Sequence, residues 1–160
     1  MKKLFYLLML ALPVVGMSSC DDDDDVPDVS LSATIDGATR VDNTLYVVSG
    51  DTLDIESINL VDNTKKGAVI GSASYFWDYY RIGGTIVAPY GMDIDTDGVP
   101  LGNHLLQVKV SIYAVDYSPC IWYMEYPVKI VASENDIPAD GDIEQSPTLA
   151  LMIKTCEDSD

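Results

Sequence analysis

The chain has 160 residues, of which 26 are acidic and nine basic, for a formal net charge of −17 with a single histidine. No basic patch is present, which excludes nucleic-acid binding, and the acidic balance opposes adsorption to anionic headgroups. Residues 29–133 carry 12 acidic and six basic side chains, while residues 20–28 and 134–160 are more acidic per residue, so the middle is the domain. At about 105 residues it has room for one hydrophobic core, not two.

In chain order, Lys2 and Lys3 precede an apolar run, Leu4 to Val15, interrupted by Pro13. Twelve residues are too few to span a bilayer, which takes about 20. Gly16-Met17-Ser18-Ser19 follows and ends at Cys20. A charged start, an apolar centre and a small-residue end are the parts of a secretory signal over residues 1–19. The segment before Cys20 resembles the lipobox of bacterial lipoproteins, with Met17 where a Leu is usual. The resemblance implies cleavage after Ser19 and acylation of Cys20, which would anchor the chain to a membrane, since two lipid signals already give stable attachment. The alternative is an ordinary secretory signal with an incidental cysteine. Asp21 to Asp25 read as a solvated spacer, within an acidic linker over residues 20–29. Acidic residues at this place also resemble the export signal of Bacteroidetes-type surface lipoproteins. That implies outer-membrane attachment facing the cell exterior, with the periplasmic face as the alternative.

From residue 30 to 132 short alternating segments rich in Val, Ile, Thr and Tyr are divided by Gly, Asp, Asn and Pro, the pattern of strands. Leu31, Ala33 and Ile35 alternate up to the Asp36-Gly37 turn. Leu45 to Val48 is a short run closed by Ser49-Gly50-Asp51. Leu53 and Ile55 lie on one parity and Ile58 and Leu60 on the other, which predicts a bulge near Glu56-Ser57 or a change of sheet. Tyr75 to Tyr80 reads as one aromatic strand with Tyr75, Trp77 and Tyr79 inward, and Thr85 to Tyr90 as another candidate strand. His104 to Asp116 and Ile121 to Ala132 form a hairpin across a five-residue loop, with Leu106, Val108, Val110, Ile112 and Ala114 inward. They are expected opposite Ile130, Val128, Tyr126, Met124 and Trp122. The tail, residues 133–160, is acidic around one apolar patch, Thr148 to Ile153, which either docks or adds an edge strand.

About seven strands with no helix between them predict an all-β, antiparallel sandwich. The succession GDTLDI, YFWD and GNHLLQVKV resembles immunoglobulin-like or PKD-like domains of Bacteroidetes lipoproteins, without the antibody cysteine pair or tyrosine corner. In such a sandwich the three strands carrying Phe76, Tyr113 and Tyr123 share one sheet.

Candidate sites follow from the residue types. No nucleophile, base and orienting group are grouped as catalysis requires, and His104 reads as a packing or hydrogen-bonding residue, so no enzyme and no cofactor are expected. Asp93, Asp95 and Asp97 with Gly98 match the first half of a calcium loop, but position 12 is His104 where a bidentate Glu is needed. An acidic inter-strand loop is the favoured reading. Cys120 and Cys156 are candidates for a disulfide, with two separate thiols as the alternative. Phe76, Tyr80, Tyr113 and Tyr123 are expected to form one outward aromatic face, with Tyr113 directly across from Tyr123. Such a face suits a sugar or a protein partner; the alternative is cross-strand pairing that only stabilises the sheet. The expectation is a surface-anchored, non-catalytic binding domain for a glycan or protein, or else a structural subunit of a fimbria-like or envelope assembly.

Overall fold

The computed structural model describes residues 26–139 and the strand 153–156. Ten strands occur among them: β1 (Val29–Asp36), β2 (Thr39–Val41), β3 (Thr44–Val48), β4 (Thr52–Asp62), β5 (Ala68–Trp77), β6 (Tyr80–Thr85), β7 (Met92–Asp95), β8 (Gly102–Ala114), β9 (Cys120–Val131) and β10 (Ile153–Cys156). A single 3-10 turn, Glu134–Asp136, follows β9. One sheet has the order β1-β4-β7, the other β2-β3-β9-β8-β5-β6, with β10 added to β9. All pairs are antiparallel except β3 with β9. Placing β1, β4 and β7 in one layer and β5, β8 and β9 in the other is the strand partition of an immunoglobulin-like sandwich.

The core lies between the two inner faces. Val29, Leu31, Leu53, Ile55, Ile58 and Ile94 of the small sheet meet Leu106, Val108, Val110, Ile112, Trp122, Met124, Tyr126, Val128 and Ile130 of the large one. Burying one such aliphatic side chain is worth about 1.5–3 kcal/mol, so the alternation along β8 and β9 fixes which face turns inward. The parity flip in β4 is a bulge within one strand. Thr34 pairs with Ser57 and Ile35 with Ile55, so Glu56 is the extra residue, and both apolar sets reach the core. Gly37 ends β1 at a φ of +75°, where a Cβ would lie 2.0 Å from the carbonyl oxygen of Thr52.

Three sequence expectations are corrected here. Leu106 to Ile112 and Trp122 to Ile130 turn inward as expected, while Ala114 is not in the core, and the pairing is displaced by four residues: Leu106 faces Tyr126, Val108 Met124, Val110 Trp122 and Ile112 Cys120. Inward parity is preserved by any even shift, so burial alone leaves such a displacement open. The aromatic segment is not one strand. β5 stops at Trp77, Asp78 and Tyr79 turn the chain at φ values of 48° and 71°, and Tyr80 begins β6. Tyr79 is therefore exposed rather than inward. Residues 86–91 form a loop instead of a strand, held by Tyr90 N–H to Val87 O (3.0 Å), Ile58 N–H to Pro89 O (3.0 Å) and the Tyr90 hydroxyl to Ile70 O (2.7 Å).

Candidate functional site

Two successive residues with positive φ, Asp78 and Tyr79, build the two-residue turn whose twist suits a hairpin. Its position is fixed by hydrogen bonds to the start of β8. Asp78 N–H donates to Leu105 O (2.9 Å), and Leu105 N–H donates to Asp78 Oδ1 (2.9 Å). Asp78 Oδ2 lies 2.6 Å from His104 Nδ1, while His104 Nε2 lies 2.8 Å from Pro100 O. The His104 ring also packs on Trp77, with centroids 5.3 Å apart. A carboxylate and a carbonyl only accept, so both ring nitrogens donate when the two contacts are satisfied, and the ring is then an imidazolium. Burial opposes that charge on His104, but the Asp78 carboxylate and the Pro100 carbonyl outweigh it and raise the pKa. On Asp78 burial is likewise outweighed, by hydrogen bonds from His104 and Leu105, and the carboxyl titrates below its usual range. With both nitrogens engaged, His104 serves as a clamp and not as a base.

This clamp presents an apolar edge. Among the described residues β6 pairs only with β5, and its other side is a sheet edge with no strand partner. On it Tyr80 (79%) is exposed and Ile82 partly so, and Tyr79 (74%), Ile86 (77%) and Val87 (68%) are exposed in the turn and the loop at its two ends. The Tyr75 hydroxyl, donating to the Tyr90 carbonyl, further fixes the loop that carries Ile86 and Val87. A shallow groove lined by Ser72, Ser74, Arg81, Gly84, Thr85 and Val87 joins this edge to the outer face of β5.

The outer face of the large sheet differs from the expected aromatic face. Phe76 pairs with Arg81 on one side and Gln107 on the other, and Gln107 donates to Glu125 at 2.6 Å. Tyr123 is opposite Lys109, whose ammonium lies 5.8 Å from the ring centroid, and not opposite Tyr113. Tyr113 lies four residues further along β8, about 13 Å away at 3.3 Å per residue. Its ring covers Gly71, at which a Cβ would come within 2.2 Å of Tyr113 Cε2. Tyr80 stands at the hairpin end. The four aromatics therefore do not form one contiguous site. Lys129 lies 5.6 Å from the centroid of Tyr46, which makes a second cation–aromatic pair on the same face.

The small sheet is its electrostatic opposite, with Asp36, Asp54 and Asp93 side by side across three strands. Burial and the adjacent Asp93 carboxylate raise the pKa of Asp54. The Asp93 to Asp97 stretch is not an inter-strand loop throughout: Asp93 and Asp95 point outward from strand β7, while Ile94 and Thr96, alternating with them, are buried. Thr96 accepts from Gly50 N–H (3.0 Å) and donates to Asp51 O (2.6 Å), while Asp97 N–H donates to Asp95 Oδ1 (2.8 Å). The alternating Asp residues follow the period of a half-buried strand. Among the described residues no group of three or more His, Cys, Asp or Glu is placed to hold a metal ion, and no helix is long and apolar enough to cross a membrane. Cys20 and Asp21 to Asp25 lie outside the described residues.

No protein-family model matches the chain, and no curated protein matches it. Among solved structures it is similar to the fibronectin(III)-like modules of Clostridium thermocellum CbhA, at 17% identity and a TM-score of 0.41. The match covers 73% of this chain and 53% of that one, so the chain spans about half the length of that structure. The immunoglobulin-like assignment rests on the strand order alone.

Sequence reading missed Tyr79, Arg81, Ile82, Ile86 and Val87 as a group. A tyrosine at the second turn position carries no turn signal, so the β5–β6 hairpin was hidden inside an aromatic run.

Proposed function

We propose that the chain is a surface-anchored lipoprotein, held by acylated Cys20, whose immunoglobulin-like domain binds a partner without catalysing a reaction. The observation that carries the binding reading is the β6 edge, which has no strand partner among the described residues and exposes Tyr80 and Ile82, with Tyr79, Ile86 and Val87 exposed in the turn and loop at its ends. Natural edge strands are usually shielded by charges, proline, bulges or a covering segment; this short edge carries Arg81 and a bulge at Ile82, but the exposed apolar side chains on it and at its ends suit contact with another chain. An extended protein segment satisfies both the backbone groups and the apolar side chains, which favours a protein over a glycan. Arg81 would favour an acidic residue in that segment.

The same open edge supports a second reading, a structural subunit of a surface assembly, in which the arriving strand belongs to a neighbouring subunit. The test is a binding screen of the chain starting at Asp21 against glycan and surface-protein panels, with its solution mass measured alongside. Two variants accompany it: Ile82→Lys with Val87→Lys, and Tyr79→Ala with Tyr80→Ala. The lysines should abolish protein binding or self-association. Glycan binding lost only with the tyrosines, or interactions unchanged in both folded variants, would overturn the edge reading.

A further inference from the structure

β9 is flanked on one side by β8 along most of its length. On its other side Val128 to Val131 pair with β3, and Cys120 to Tyr123 pair with β10. The strand β10 thus occupies one end of that edge and β3 the other, with Met124 to Pro127 between them. Its register is Ile153 with Tyr123, Lys154 with Trp122, Thr155 with Ile121 and Cys156 with Cys120. We propose that Cys120 and Cys156 form an intrachain disulfide that locks this strand to the sheet.

The geometry is the argument. Residues directly opposed in an antiparallel ladder share a face, with Cα atoms about 4.5–5.5 Å apart. A disulfide spans Cα separations of about 4.4–6.8 Å, so no backbone movement is needed. Cys120 is buried, and in the reduced form its Sγ donates to the carbonyl of Ser118 at 3.2 Å. Among the described residues this four-residue strand pairs with one neighbour, and a covalent bond at its end would reinforce that short ladder. The bond would also keep Cys120 to Tyr123 of the β9 edge covered and keep β10 from being given to a neighbour.

Formation proceeds by thiol–disulfide exchange with a disulfide oxidant. One cysteine thiolate attacks a sulfur of the oxidant, forming a mixed disulfide and expelling one thiol. The second cysteine thiolate then displaces the other thiol. Two S–H bonds are lost, one S–S bond forms, and the oxidant takes up two electrons and two protons. Persistence in cells rests on the proposed export to an oxidising compartment, but the geometry is testable without it.

The chain starting at Asp21 is purified, equilibrated with oxidised and reduced glutathione, alkylated and mapped by mass spectrometry without reduction. The expected result is one linked peptide pair containing Cys120 and Cys156, two hydrogens lighter than the separate peptides, in a monomer. Cys120→Ser should leave Cys156 alkylated or as its glutathione mixed disulfide, with no linked peptide pair, and the reverse for Cys156→Ser. If the serine variants fail to fold, the wild-type map alone decides. Two alkylated thiols in the wild type, or a disulfide-linked dimer, would overturn the proposal. A failure of the export reading would leave this purified-chain result unchanged.

Discussion

Replacing Asp78 with Ala removes the acceptor that ties the β5–β6 turn to β8. Leu105 N–H loses its partner, and His104 keeps only Pro100. Leaving a partly buried N–H unmet costs about 1–3 kcal/mol, and a charge-assisted bond contributes about 1.5–3 kcal/mol. The Asp78 side chain is 43% exposed against 10% for His104, so water and salt screen the pair, and a combined loss of about 2–3 kcal/mol is the reasoned value. At roughly 4 °C per kcal/mol for a domain of this size, the melting temperature should fall by about 8–12 °C. The loss should depend on pH. The pKa of His104 is raised in the fold, so its contribution is complete below the unfolded value of 6.5 and disappears as pH rises through the folded value. The pKa of Asp78 is lowered, so its contribution is present above 3.8 and disappears as pH falls through the folded value. Scanning calorimetry of both proteins from pH 4.5 to 9 should show the largest gap between about pH 4.5 and 6.5 and a narrowing above. A gap constant across that range would refute a charged His104.

Leu53 is fully buried, and Leu53→Ala should lower stability by about 2–5 kcal/mol, read as a shifted urea midpoint at constant slope. Gly71→Ala should displace the Tyr113 ring and cost up to about 1 kcal/mol, and the cost should vanish in a Tyr113→Ala background when measured as a double-mutant cycle. Cys20→Ala should release the protein from the membrane fraction or leave residues 1–19 attached; an unchanged partition and mature mass would refute acylation. Protease added to intact cells should remove the domain, and changing Asp21 to Asp25 to Asn should protect it.

The sandwich was legible because alternation decides what faces inward. β8 and β9 read correctly from Leu106 to Ile112 and from Trp122 to Ile130, and the β4 bulge was visible in the shift from Leu53 and Ile55 to Ile58. Pairing within the last hairpin was not legible, since a displacement of four residues leaves every side chain on its expected face. That displacement separated Tyr113 from Tyr123 and dispersed the expected aromatic face. The β5–β6 turn was hidden because Asp78 is held in place by His104, 26 residues further along the chain, a contact no local pattern reveals. The Asp93 to Gly98 stretch resembled a metal loop because a strand that alternates Asp with buried Ile94 and Thr96 has the same spacing.

Photo-crosslinking on living cells tests most directly whether the β6 edge binds a partner at the surface. A photoreactive phenylalanine analogue is placed singly at Ile82, at Val87 and, as a control on the opposite sheet, at Asp54. A discrete protein adduct is expected from Ile82 and Val87 and none from Asp54. Equal labelling from all three positions, or no adduct from either edge position in a displayed and folded protein, would contradict it.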